Sequence, residues 1–223
     1  MVNGKGLNNS KRVFWEALLL TVVVFIFGLL IGIAYESSKS TEINQYYATS
    51  ETSLMDIFVL NSMLNLNEND CNVIAESNLE FADKVYKEAV LLEKYESSGK
   101  VTEEMEIVHK RYDILRTFLW INTIKNSEQC EKPYSTVVYL YEYSTDDLTQ
   151  KAKQNVWSKI LSELKEKEGN KIILIPIAID SDLTSLTSLV SEFNITSYPV
   201  VIIDEKEIIS ELSSVEELDK YLN

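Results

Sequence analysis

The feature that most constrains this fold is a long apolar run near the N-terminus. Residues 17–34 (ALLLTVVVFIFGLLIGIA) contain no charged side chain over 18 positions. A helix of that length can cross the hydrocarbon core of a bilayer. Trp15 and Tyr35 flank the run, where interfacial aromatic residues usually lie. The sequence therefore predicts one transmembrane helix over residues 13–35, after a short N-terminal segment 1–12.

A cleaved secretory signal is the alternative, because residues 32–34 (GIA) have the small side chains of a cleavage site. The apolar region of a signal peptide is roughly 7–15 residues long. The longer run here favours an uncleaved anchor. Lys5, Lys11 and Arg12 precede the span. The positive-inside rule then predicts a single-pass cell-membrane protein with a cytoplasmic N-terminus and extracytoplasmic C-terminal domains.

The spacing of Gly28 and Gly32 within the span is that of a G-x-x-x-G motif. Small residues at this spacing let two helices approach closely, so the motif allows a homodimer. Two unrelated glycines in an apolar helix are the alternative interpretation.

The sequence after Tyr35 is strongly acidic, with 18 basic and 34 acidic residues and a net charge of −16. Such a surface repels phosphate backbones, which excludes nucleic acid as a partner. The acidic residues are dispersed along the chain, which is typical of a solvated surface.

Residues 36–130 form a predicted extracytoplasmic helical region, because no proline occurs before Pro133. Ser97-Ser98-Gly99-Lys100 predicts a turn between two helical arms. One apolar seam repeats at steps of 3, 4, 3 and 4, and its members are Met105, Val108, Tyr112, Leu115 and Leu119. The region therefore reads as an antiparallel helical hairpin, or stalk.

Cys71 and Cys130 are the only cysteines, 59 positions apart. Cys71 begins the first arm of the hairpin and Cys130 follows the second. Antiparallel arms of equal length bring these two ends together, so the sequence predicts a structural disulfide. A redox-active pair is the alternative.

Residues 131–223 change to a period of two with β-forming residues, typical of strands. The predicted order is β-α-β-α-β-β-α, which gives a mixed four-stranded sheet within an α+β protein. Pro176 interrupts the second strand and predicts a bulge. The predicted strands are 137–143, 172–179, 200–203 and 207–210, and the predicted final helix is 215–222.

This C-terminal region resembles the thioredoxin-like superfamily. The stretch 193–203 (FNITSYPVVII) is similar to the helix end, cis-proline loop and third strand of that family. The resemblance covers about 90 residues. It implies that Pro199 is the cis-proline and that Tyr198 precedes it.

The chain departs from the family where a Cys-x-x-Cys motif would follow the first strand. That motif maps onto Thr145 and Leu148, or onto Ser144 and Asp147, and neither choice supplies a thiol. Acids at a helix start, such as Asp147, also fit capping. The departure argues against cysteine-dependent activities, so no catalytic residue is predicted.

Other chemistry is sparse. His109 is the single histidine and reads as a surface or groove residue. No spacing indicates a metal site or a phosphate-binding loop, so neither a metal nor another cofactor is predicted. Asp180 and Asp182 read as helix-capping residues, with a weak cation site as the alternative. Asn194 begins a glycosylation sequon whose use the sequence leaves open.

Three functions remain open. The first is a membrane-anchored thioredoxin-like protein, leaning away from catalysis, that binds or assembles protein partners. A peptide-binding loop would then comprise Ser144, Thr145, Asp147, Tyr198 and Pro199, by resemblance. The second is a divergent thiol–disulfide oxidoreductase using Cys71 and Cys130. The third is a purely structural spacer.

Overall fold

A computed structural model describes residues 6–64, 71–96, 103–130 and 133–222. The predicted turn at Ser97–Lys100 lies outside these residues. The chain divides into two compact units, residues 1–46 and residues 47–223.

Helix α1 spans Gly6–Leu64 without a break. It continues through the polar residues 36–41, because no glycine or proline lies between Gly32 and Ser98 to end it. Its segment Arg12–Tyr35 is long and apolar enough to cross a membrane, and all of its side chains are exposed. The structure therefore contains the predicted apolar N-terminal helix.

Helices α2 (Cys71–Glu96) and α3 (Glu103–Gln129) form the predicted helical pair. The described seam residues of α3 are buried; they are Val108, Tyr112, Leu115 and Leu119. Across the pair, the Tyr112 hydroxyl donates to the buried Glu88 carboxylate at 3.1 Å. Cys71 and Cys130 form a disulfide with a Cα–Cα distance of 5.6 Å, so the helix ends meet as predicted.

Four strands form one mixed sheet in the order β2-β1-β3-β4. Strand β1 pairs parallel with β2 and antiparallel with β3, and β3 pairs antiparallel with β4. The strands are β1 (Ser135–Tyr141), β2 (Ile172–Ala178), β3 (Val200–Ile203) and β4 (Glu207–Ile209). The helices that connect or follow them are α4 (Leu148–Glu168), α5 (Thr184–Glu192) and α6 (Val215–Leu218).

Several predicted boundaries were wrong by one to four residues. Strand β1 begins at Ser135 rather than residue 137, β2 ends at Ala178 rather than residue 179, and β4 ends at Ile209 rather than residue 210. Strand β1 ends at Tyr141 rather than residue 143. The backbone N–H groups of residues 142–144 donate to the side chains of Gln154 and Asp180 instead of to a neighbouring strand. Helix α6 ends at Leu218 and continues as a 3₁₀ turn over Asp219–Tyr221.

The core lies on both faces of the sheet. One face packs against Trp157, Leu161 and Leu164 of α4 and Leu218 of α6, all buried. Strand residues alternate between faces, and those of the opposite face are also buried; among them are Val138, Leu140, Ile175 and Ile202. On that side α3 contacts β1, β2 and α5. Burial on both faces explains the nearly continuous apolar run of β2.

The bulge predicted at Pro176 is absent from the pairing of β1 with β2, which runs unbroken through Tyr139 and Pro176. The N–H of Ala178 points away from β1, since it donates to Asp113 on α3 at 3.2 Å. Alternation along a strand turns the nitrogen of Pro176 the same way. Proline therefore removes no bond from the β1–β2 ladder.

The helical pair packs against the sheet within one compact unit. Trp120 of α3 stacks on Phe193, with ring centroids 5.1 Å apart. Asp83 of α2 pairs with Lys165 of α4 at 3.0 Å. The segment 47–223 therefore builds the sheet and the helical pair together, and the division at residue 130 stays a prediction.

Candidate functional site

The loop edge is the border of the sheet where β1, β2 and β4 end and β3 begins. The strand directions of the sheet bring four segments to this border. They are residues 142–147, 179–183, 192–199 and 210–214. The predicted loop residues Ser144, Thr145, Asp147, Tyr198 and Pro199 all belong to them.

The β1–α4 loop is held by two aspartates. Asp180 accepts hydrogen bonds from the backbone N–H groups of Tyr143 and Ser144, each at 2.8 Å. Asp147 is the N-cap of α4 and accepts from the N–H of Thr149 at 2.8 Å. The prediction that Asp147 caps the helix is confirmed. The prediction that Asp180 and Asp182 cap the next helix is wrong, because the N-cap of α5 is Leu183 and no side chain caps that helix. Asp180 binds the neighbouring loop instead.

Thr145 and Ser144 complete the loop. The Thr145 hydroxyl accepts from the N–H of Asp147 at 3.3 Å. Ser144 and Asp147 are exposed, and Leu148 is 81% exposed. The loop therefore presents side chains to solvent while its backbone is fixed from within.

The peptide bond between Tyr198 and Pro199 is cis, as the resemblance implies. Pro199 is buried and Tyr198 is half-buried. Burial raises the pKa of the Tyr198 hydroxyl, and the negative charge of Glu142 raises it further. Glu142 and Tyr198 also lie at the facing ends of β1 and β3, two residues beyond the Leu140–Val200 pair.

The register of β1 and β3 predicts that Glu142 and Tyr198 would be the next pair to exchange backbone hydrogen bonds. Leu140 pairs with Val200, and two residues further along each strand lie Glu142 and Tyr198. The same side of β1 already faces β3 at Thr136, whose carbonyl accepts from the N–H of Asp204 at 2.8 Å. Backbone groups point to alternate sides, so those of Glu142 face the same way as those of Thr136.

Gln154 of α4 takes both backbone groups of Glu142 instead. Its amide oxygen accepts from the Glu142 N–H at 2.9 Å, and its amide nitrogen donates to the Glu142 carbonyl at 3.0 Å. Gln154 is buried, and a side-chain amide carries the donor and the acceptor that a strand partner would offer. The amide therefore ends the β1–β3 ladder one pair early.

The chain before β3 is left without backbone partners. In the part of the chain that the structure describes, no hydrogen bond joins the backbone of Ile195, Thr196, Ser197 or Tyr198 to another residue. Thr196 and Ser197 are exposed. Polar backbone groups need partners, so these groups bind water or a ligand. We name residues 195–198 the open segment.

A small cavity of about 170 Å³ adjoins the loop edge where α3 meets it. His109 lines this cavity and packs on Tyr143 with ring centroids 4.1 Å apart, in keeping with the predicted surface or groove position. The cavity lining consists of Glu106, His109, Lys110, Asp113, Tyr143, Ser144, Asp180, Ser181 and Asp182.

Asp113 is fully buried beside the cavity. Its carboxylate accepts from the hydroxyl of Ser181, from the N–H of Ala178 at 3.2 Å and from Arg116 at 3.3 Å. Burial raises the pKa of Asp113, although Arg116, Ser181 and Ala178 each act to lower it. Asp113 therefore fixes α3 to the loop that follows β2.

Within the described ranges, the site has neither a free thiol nor a group of side chains that could bind a metal ion. Cys71 and Cys130 are joined to each other, and no other cysteine occurs in the sequence. Among the described residues, no group of three or more His, Cys, Asp or Glu side chains is arranged to hold a metal ion. What remains is a fixed scaffold that presents exposed side chains and unpaired backbone.

Comparison of the chain with protein-family models, curated proteins and solved structures finds no match. The resemblance to the thioredoxin-like superfamily therefore remains a prediction.

Proposed function

We propose that this chain is a membrane-anchored, extracytoplasmic protein with a thioredoxin-like domain that binds extended segments of partner proteins without catalysis. The binding site is the open segment, flanked by Ser144, Thr145 and Asp147. An extended ligand would add its backbone hydrogen bonds to those that the protein leaves unmade, which is a form of β-augmentation.

The observation that carries this proposal is the unpaired backbone of Ile195–Tyr198. Gln154 strengthens the argument, because it occupies the backbone groups of Glu142 that would otherwise pair with Tyr198. A buried side chain thus keeps the open segment from completing the protein's own sheet. Such an arrangement fits a partner that supplies the missing strand.

The thioredoxin-like assignment is supported by the sheet order β2-β1-β3-β4 and by the proline before β3. The lack of catalysis is supported by the loop edge itself, which offers Ser144, Thr145, Asp147 and Leu148 where the family has cysteines. Thiol–disulfide exchange through Cys71 and Cys130 remains the alternative function.

The membrane assignment is supported by the span Arg12–Tyr35. The charge distribution supports the orientation, since Lys5 and Lys11 precede the span, Arg12 is its first residue, and the sequence after it is acidic. A homodimer through Gly28 and Gly32 is a further proposal, supported only by their spacing.

The test is binding of an array of unfolded peptides to the full-length chain in a neutral detergent. Ser197→Pro removes one N–H from the open segment and should weaken binding of every peptide that the wild type retains. Thr184→Pro, at the exposed first position of α5 and outside the four segments, is the matched control and should bind as the wild type does, because proline is tolerated at the first residue of a helix. Equal binding by wild type and Ser197→Pro, with both folded, would refute the proposed site.

A second experiment tests the alternative function, thiol–disulfide exchange through Cys71 and Cys130. The double variant Cys71→Ser/Cys130→Ser should retain peptide binding, measured below its unfolding temperature. In the wild type, bound peptide should not change the rate at which the disulfide exchanges with glutathione. Peptide-dependent exchange would establish the oxidoreductase instead.

A further inference from the structure

The loop edge carries charge of only one sign along its four segments. Residues 142–147, 179–183, 192–199 and 210–214 contain seven acidic residues and no lysine, arginine or histidine. The seven are Glu142, Asp146, Asp147, Asp180, Asp182, Glu192 and Glu211. An extended ligand at the open segment would therefore lie among carboxylates.

The opposite border of the sheet differs. The connections there, residues 168–171 and 204–206, mix the two signs, with Lys171 and Lys206 beside three acids. One of those acids is neutralised locally, since Lys171 pairs with Glu168 at 3.1 Å. The single sign of the loop edge is thus a property of that border and not of the acidic chain as a whole.

Basic groups from two helices approach the loop edge. Lys153 of α4 donates to the carbonyl of Ser210 at 2.8 Å. Lys110 and His109 of α3 line the cavity beside Tyr143. Lys153 and Lys110 offset part of the acidic charge, while Glu142, opposite Tyr198 in the register of β1 and β3, forms no ion pair within the described residues.

We infer that the partner segment bound at Ile195–Tyr198 is basic, with lysine or arginine at alternate positions of an extended chain. The inference rests on the proposed function. Alternate side chains of a strand point to the same face, so every second residue of the ligand can meet Glu142, Asp146 or Glu192. Complementary charge also speeds association and disfavours acidic partners.

The test uses four short probes with blocked termini, one of them all threonine, and the full-length chain in a neutral detergent. The first alternates lysine and threonine, and the second alternates glutamate and threonine. The third is the lysine peptide with N-methyl groups on alternate backbone nitrogens, which removes donors but keeps the charge. Binding is measured by titration at low salt and at about 1 M salt, where the screening length falls to about 3 Å.

The lysine peptide should bind saturably, and the glutamate and N-methylated peptides should bind much more weakly. The variant Glu142→Gln/Glu192→Gln should lose about threefold in affinity per carboxylate, as for exposed ion pairs. The control Glu163→Gln/Glu166→Gln removes the same charge from exposed positions of α4 and should leave the affinity unchanged.

The other outcomes overturn the inference in different ways. If an all-threonine peptide binds as tightly as the lysine peptide, the charge preference is wrong while the proposed function stands. If the N-methylated peptide binds equally well, or both double variants weaken binding alike, the attraction is nonspecific adsorption to an acidic protein. If no peptide binds, the proposed function fails, and the basic-partner inference fails with it.

Discussion

Asp113 on α3 accepts a hydrogen bond from the backbone N–H of Ala178 at the outer edge of the sheet, at 3.2 Å. Ala178 is the last residue of β2, an edge strand whose outward N–H groups would otherwise need another partner. The same carboxylate also accepts from Ser181 in the following loop. The buried Asp113 carboxylate thus provides a partner for one outward N–H of the edge strand and holds α3 beside the loop edge.

Asp113 should make the stability of the chain fall as the pH rises. Burial raises its pKa above 3.8 in the folded protein, so the folded state keeps a proton that the unfolded state has lost. The free energy of unfolding should therefore fall between pH 3.8 and the folded pKa, then level off. Asp113→Asn should abolish this fall, measured by urea unfolding of the full-length chain across the acidic range.

Asp219 provides a control of opposite sign. The hydrogen bond from Lys167 lowers its pKa, so its contribution is present above its ordinary value of 3.8 and is lost as the pH falls below it. Asp219→Asn should remove that loss. If both variants changed the pH dependence in the same direction, the role assigned to Asp113 would be wrong.

The sequence allowed the elements of the sheet to be predicted because they depend on local pattern. The apolar runs of β1, β2 and β3 reflect burial of the strands themselves. The final residues of β1 were misassigned because they depend on Gln154 and Asp180, which lie 12 and 37 positions away in sequence from the backbone groups that they bind. A pattern of neighbouring residues does not indicate hydrogen-bond partners that lie so far away in the sequence.

The sequence left open whether α3 packs on the sheet, although it contains a pattern that matches this contact. His109, Asp113, Arg116 and Trp120 recur at steps of 4, 3 and 4, beside the apolar seam. Three of the four are polar or charged, so the stripe reads as a solvent-facing surface. Only their long-range contacts, with Tyr143, Ala178 and Phe193, show that it faces the sheet.

Lys165 should contribute more to stability than its neighbour Lys167. Its ammonium group pairs with Asp83 and donates to the carbonyls of Gly169 and Ile172, while its side chain is only 11% exposed. Lys165→Met leaves these acceptors unsatisfied and should cost about 1–3 kcal/mol. Lys167→Met removes an exposed pair with Asp219 and should cost less. Urea unfolding of both variants checks the order, which equal losses would contradict.

The disulfide should contribute through the loop that it closes. Cys71 and Cys130 are separated by 59 positions. For a loop of that length the chain-entropy model gives about 4 kcal/mol. Cys71→Ser/Cys130→Ser should lower the free energy of unfolding by up to that amount, and reduced wild type should match it. A loss in the reduced protein but not in the double variant would show that free thiols, rather than the missing bond, are responsible.

Gln154 should determine where the β1–β3 ladder ends. Gln154→Leu removes both hydrogen bonds to Glu142 from a buried position and should cost about 1–3 kcal/mol. The Glu142 amide should then exchange with solvent faster, while the Val138 amide within the paired part of β1 stays protected. Gln150→Leu, one turn earlier on the same helix, is the matched control. Amide exchange measured by NMR gives the protection of both amides in each variant.

Unchanged protection of the Glu142 amide in Gln154→Leu would have two explanations. Either the Gln154 side chain is not the partner of Glu142, or the backbone of Tyr198 has replaced it. The exchange of the Tyr198 amide separates these two results, because only pairing with Glu142 would slow it, and that slowing should come with weaker peptide binding at the open segment.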